Sequence, residues 1–238
     1  MLYDNPAASL QSILERASQE KHDQACHSVW RRLLAVTDDD QGGLIGKLAL
    51  VMDLPRRTLV LVKASFPNQL KAAEIWAGPI ESAFMQQQLA GQWGTFAGQI
   101  QPYCIAQLSL TAELIQTRLN AKFIDEQDLL KIMGSMGELL TEIDASSIDN
   151  DLKIYLGREL SELQQSVRNY RFSGAQPILK QAEAMLGHSL LDPKYSQFLT
   201  NHALGARLLD NLSAMANLLT VAVSLPQLTQ SLGTLLLK

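Results

Sequence analysis

The chain has 238 residues, a hydrophobic fraction of 47% and a formal net charge of −4. That is enough apolar material for one large or two small cores, which excludes a disordered polypeptide. Lys and Arg are scattered in pairs such as Arg31/Arg32 and Arg56/Arg57 and form no run able to neutralise several phosphates, so a nucleic-acid partner is not expected.

The opening MLYDNPAASL has neither a basic n-region nor a long apolar h-region, and the expectation is a cytoplasmic protein. Cys26 and Cys104 are the two cysteines, far apart and each inside an apolar helical pattern. Reduced, buried packing residues are expected rather than a disulfide.

Apolar residues recurring at spacings of three and four predict helix almost throughout. Asn5-Pro6 reads as an N-cap followed by proline at the first helical position, ahead of a stripe of Leu10, Ile13, Leu14 and Ala17. A second helix carries Ala25, Val29, Trp30, Leu33 and Leu34 and ends at the acidic turn Thr37 to Asp40. Gly42, Gly43 and Gly46 open a third, through Leu48, Val51 and Met52. Thr58 to Val62 has a strand-like run of side chains but no partner strand, and an isolated strand leaves its backbone groups unpaired, so this segment too is read as helix. Pro67 starts the next helix, with Leu70, Ala73, Ile75 and Trp76, and Gly78-Pro79 is expected to restart it. Gly91, Gly94 and Gly98 predict a loop ahead of a helix near Gln101.

In the second half Asp125 caps a helix containing Leu129, Leu130, Ile132, Met133, Met136, Leu139 and Leu140. The polar run Asp144 to Asn150 marks the expected boundary between an N-terminal helical part, residues 1–143, and a C-terminal part, residues 150–238, which together also fit one continuous domain. Leu152 to Tyr170 reads as an amphipathic helix with Lys153, Arg158, Glu162 and Arg168 on its polar side. Ser173-Gly-Ala-Gln176 matches a capping box for a helix ending at Gly187, and Asp192-Pro193 is another cap-plus-proline start, leading to Tyr195, Phe198 and Leu199.

Linear signatures of chemistry are weak. His22, Asp23, Cys26 and His27 form the one metal-like cluster, with His22 and Cys26 on a common helix face, but one face supplies two ligands where a structural zinc needs four, even with His188 and His202 elsewhere in the chain. Glu138 and Glu142 lie one turn apart without the Glu-x-x-His partners of di-iron bundles, and read as a solvated face. Gly134-Ser-Met-Gly137 falls inside a helical stripe and reads as close helix packing rather than a nucleic-acid clamp. No catalytic, cofactor-binding or metal-binding residue is assigned, no cofactor is expected, and an enzyme would have to assemble its site from scattered residues.

The feature that stands out is the end of the chain. From Asn211 to Leu237 there is no charged residue, and Ser213, Asn217, Thr220, Ser224, Gln227, Ser231 and Thr234 follow one another at spacings of four and three. Leu208, Met215, Leu218, Leu219, Ala222, Leu225, Leu236 and Leu237 lie opposite, and Pro226 is expected to kink this long amphipathic helix. The fold expectation is therefore an all-α multi-helix bundle with a charge-free amphipathic C-terminal helix. The apolar face is expected to pack inward in the protein's own bundle with the polar stripe facing water, or against other chains. The functional expectation is a non-enzymatic interaction or assembly protein whose terminal helix packs on a partner chain or on copies of itself. The competing expectation is a pore-forming bacterial effector that inserts this helix into a membrane after a trigger, its polar stripe lining a water-filled passage.

Overall fold

The computed structural model describes residues 5–119, Ile124 and residues 126–223. All regular structure in these residues is helical, apart from isolated bridge residues such as the antiparallel pair Ala25 and Gln92. The chain divides into two compact units between residues 120 and 121.

The first unit contains α1 (Pro6–Ala17), α2 (Cys26–Leu34), α3 (Gln41–Met52), α4 (Leu54–Ser65), a 3₁₀ turn (Pro67–Gln69), α5 (Leu70–Gln86), α6 (Gly94–Ala97) and α7 (Pro102–Leu119). Helices α1 and α5 each pack against both α4 and α7, which makes a four-helix core. Asn5 begins it twice over. Its Oδ1 accepts from the amides of Ala7 and Ala8, which caps α1, and its Nδ2 donates to the Ala112 carbonyl at 2.8 Å, which ties that cap to α7. The strand-like Thr58 lies buried in α4, its hydroxyl donating to the Leu54 carbonyl. Pro79 does not restart a helix: α5 runs unbroken from Leu70 to Gln86. Burial of Trp76, Ala77, Ile80, Ala83 and Phe84 on either side of the proline offsets the one backbone hydrogen bond it removes. Near Gly91 and Gly94 the chain folds into a turn and the short α6, where Trp30, Phe84, Trp93 and Phe96 stack with ring centroids 4.9 to 6.0 Å apart. Helix α2 ends at Ala35, a left-handed residue with φ 49°, and Lys47 Nζ donates to the carbonyls of Leu34 and Ala35.

The second unit contains α8 (Glu126–Ala145), α9 (Asn150–Arg168), α10 (Tyr170–Ser173), α11 (Gln176–His188), α12 (Pro193–Asn201) and α13 (Ala203–Val223). One hydrophobic cluster runs through it, from Leu129, Met136, Leu139 and Ile143 across Leu156, Leu160 and Leu163 to Leu208, Met215 and Leu219. The polar run Asp144 to Asn150 is consequently not where the chain divides. It is the connection between α8 and α9, two helices of one core, and its polarity reflects a solvated turn in which Asp149 caps α9 through the amides of Asp151 and Leu152. The Ser173 capping box also does not form: Ser173 belongs to α10 and its hydroxyl donates to the Asn169 carbonyl, while α11 starts after a turn at Gly174, φ 73°. Asp125, the expected cap of α8, lies outside the described residues.

Helix α13 is held by α8, α11 and α12 together. Its junction with α12 depends on Gly205, where an added Cβ would sit 2.0 Å from the Phe198 carbonyl oxygen and 2.8 Å from Leu199 Cα. Both neighbours are backbone, so α12 and α13 can cross this closely only over a glycine. Gly205→Ala is therefore expected to lower the stability of the second unit by about 1–3 kcal/mol, the usual cost of overpacking, while the first unit is unaffected; chemical denaturation followed by hydrogen exchange of each unit measures this.

Candidate functional site

The expected C-terminal stripe can be followed as far as Val223. Leu208, Met215 and Leu219 are buried in the core of the second unit, Leu218 is half-buried at its margin, Ser213 is half-buried and Asn217 is exposed. In this half of the helix the apolar face is turned toward α8, α11 and α12. The side chains of Thr220 and Ala222, and all of Ser224, Leu225, Pro226, Gln227, Ser231, Thr234, Leu236 and Leu237, lie outside the described residues.

The metal-like cluster does not share a helix face. Residues 21–25 form turns, α2 begins only at Cys26, and the His22 carbonyl accepts from the Gly94 amide at 2.9 Å. Cys26 is buried with its Sγ 3.9 Å from Gln87 Oε1, and burial pushes its thiol up to about 11, which suppresses the thiolate that would bind a metal or act as a nucleophile. Among the described residues no group of three or more His, Cys, Asp and Glu is placed to hold a metal ion. His188 and His202 both lie in the second unit, each stacked on an aromatic ring. Glu138 is exposed, and Glu142 is ion-paired with Arg207 of α13. Gly134 and Gly137 lie within α8, as the helical stripe predicts.

What the sequence did not mark is the turn between α11 and α12. Leu190 and Leu191 stand side by side there, 73% and 82% exposed. Their backbone is held firmly: Leu190 N donates to the Gly187 carbonyl, Leu191 N and Asp192 N both donate to the His188 carbonyl, and Asp192 then caps α12 through the amides of Lys194 and Tyr195. Behind the turn the His188 ring stacks on Tyr155 of α9 at 4.2 Å, Tyr195 meets both rings at 5.2 and 5.5 Å, and His188 Nε2 lies 3.7 Å from Asp192 Oδ2. Three helices thus clamp one turn.

The chemistry of this clamp is structural. Burial raises the Tyr155 hydroxyl to about 12, with the Glu159 carboxylate adding to it, and burial lifts Tyr195 well above the ordinary tyrosine range. Both are neutral at physiological pH. Glu159 is nearly buried and bridged to Arg158 and to the Gln181 amide at 2.7 Å, so its charge is compensated within the fold.

A second feature lies in the first unit. Helices α4, α5 and α7 and the 3₁₀ turn line an open groove of about 220 Å³, in which Gln69, Ala72, Ile75 and Leu110 are exposed. Trp76 Nε1 donates to the Thr111 hydroxyl in its wall at 3.0 Å, and that hydroxyl donates in turn to the Gln107 carbonyl. Nothing in the sequence periodicity marks it, because its lining comes from separate elements. Comparison with protein-family models, curated proteins and solved structures finds no match to this chain.

The Tyr195 hydroxyl is buried without a hydrogen-bond partner among the described residues. An unsatisfied buried hydroxyl is a net cost, so Tyr195→Phe is expected to stabilise the second unit by about 1 kcal/mol at neutral pH. The tyrosine's raised folded-state value means that the wild-type hydroxyl stays neutral in the fold but ionises in the unfolded chain above about pH 10. The advantage of the phenylalanine variant should widen there, as read from urea unfolding at pH 7 and pH 10.5.

Proposed function

We propose that this is a non-enzymatic helical assembly protein that associates with copies of itself through apolar side chains its own cores leave uncovered. The observation that carries the reading is the Leu190–Leu191 pair, fully presented on a backbone that is already hydrogen-bonded and clamped by Tyr155, His188 and Tyr195. Each large aliphatic side chain left in water forfeits roughly 1.5–3 kcal/mol, and a pre-ordered turn loses little further entropy on binding. Residues 224–238 add six leucines and a single charge, Lys238, at the end of the same chain. A second copy presents the same Leu190–Leu191 pair, an apolar surface of matching character.

In this reading the stripe of Ser213 and Asn217 is the solvated side of a core helix, and the association surface lies outside α13's buried face. A membrane role for α13 is less favourable on energetic grounds. No helix among the described residues is long and apolar enough to cross a membrane, and insertion would strip Leu208, Leu212, Met215 and Leu219 from the second unit's core.

Light scattering of the full chain over a rising concentration series tests the proposal. The expected result is a mass that climbs from 26.3 kDa toward a multiple of it, and that falls back in Leu190→Glu/Leu191→Glu and in a chain ending at Val223. A wild-type mass of 26.3 kDa at every concentration overturns self-association, and an oligomer untouched by both variants overturns these surfaces as its basis.

A further inference from the structure

Helix α7 packs on α1 and α5 with Cys104, Leu108 and Ile115 buried, and it turns a second seam toward solvent. Tyr103, Gln107, Leu110, Leu114 and Thr117 follow one another at spacings of four, three, four and three. This is the 3.5-residue repeat by which one helix lies along another. Tyr103 is 49% and Leu110 66% exposed, Thr117 is exposed, and Gln107 and Leu114 are half-buried. No charge interrupts the seam, and Ala72 and Ile75 of α5 extend its apolar surface across the open groove.

The charges beside the seam select the helix that fits it. Gln107 and Leu114 occupy the first core position of the repeat, and Tyr103, Leu110 and Thr117 the second. Glu113 then stands just before a core residue and Arg118 just after one, five residues apart and both exposed. Opposite charges at these two flanking positions pair between parallel helices in register. A second copy of α7 therefore sets each Glu113 against the other copy's Arg118, twice across a two-fold axis. In the same register Gln107 meets its counterpart, and two carboxamides, each donor and acceptor, satisfy one another.

We infer that the exposed seam of α7 is a docking surface for α7 of a second copy, the two helices lying parallel and in register. The inference rests on the self-association proposed above and adds a contact separate from the Leu190–Leu191 turn. Two heptads are too short to pair as free helices, but α7 is already held on its unit, so no helix has to form on contact.

Disulfide trapping in the full chain carrying Leu190→Glu/Leu191→Glu tests this contact apart from the turn. Leu110→Cys and Thr117→Cys each face their own counterpart in the parallel, in-register pair, while the native Cys26 and Cys104 are buried. In a glutathione redox buffer both variants are expected to form the linked dimer. Ile45→Cys, at a 48% exposed position on α3, is expected to stay monomeric. Glu113→Arg should lower the dimer yield of Thr117→Cys roughly three- to tenfold by opposing like charges, and adding Arg118→Glu should restore it. If neither cysteine links above the Ile45→Cys level, the α7 contact is overturned, and a wild-type mass that still climbs with concentration leaves the Leu190–Leu191 reading standing. Linking of Leu110→Cys without Thr117→Cys overturns the parallel register. An unchanged yield in Glu113→Arg, or no recovery on the charge swap, overturns the pairing that selects a second copy.

Discussion

The second unit depends on burying one face of α13. Leu208, Leu212, Met215 and Leu219 are inserted among α8, α11 and α12, and each contributes about 1.5–3 kcal/mol by leaving water. Together they approach the whole net stability of a typical domain, about 5–15 kcal/mol. The close crossing over Gly205 makes that insertion possible, because the α12 backbone occupies the space any side chain there would need. Over its described length, the helix that looks available in the sequence is a wall of its own unit's core.

A contact surface is left only where the core does not consume the apolar side chains. The α11–α12 turn is such a place, since α9, α11 and α12 meet behind it through Tyr155, His188 and Tyr195 while Leu190 and Leu191 face outward. The two tyrosines are held neutral by burial and the nearby Glu159 is paired, so the rings act as a packed support. Rigid support beneath exposed apolar side chains is the arrangement that favours association, because little freedom is lost when a partner covers them.

Much of the helical architecture was legible because it is local. The cap-plus-proline starts at Asn5-Pro6 and Asp192-Pro193 form with their side chains accepting the expected amides, and the 3.6-residue stripe through Leu10, Ile13 and Leu14 is buried. Thr58 to Val62 is helical despite β-branched residues, since no strand is there to pair with it. Local reasoning failed where tertiary packing decides. Pro79 is carried inside α5 by the burial around it, Ser173 is drawn into α10 and away from its expected cap, and the polar run at 144–150 is a turn inside one core. The exposure of Leu190 and Leu191 was invisible for a related reason: an apolar pair in sequence does not reveal whether anything folds over it. The first unit's open groove assembles residues from α4, the 3₁₀ turn, α5 and α7, and no linear pattern announces such a meeting.

Native-state hydrogen exchange is the most direct test of α13 as a core element. If the account holds, backbone amides of residues 205–219 exchange only through global opening of the second unit, with the same free energy and denaturant dependence as those of α9. Exchange of α13 at a distinctly lower free energy, with α9 still protected, would mean that the helix detaches on its own and would contradict the account.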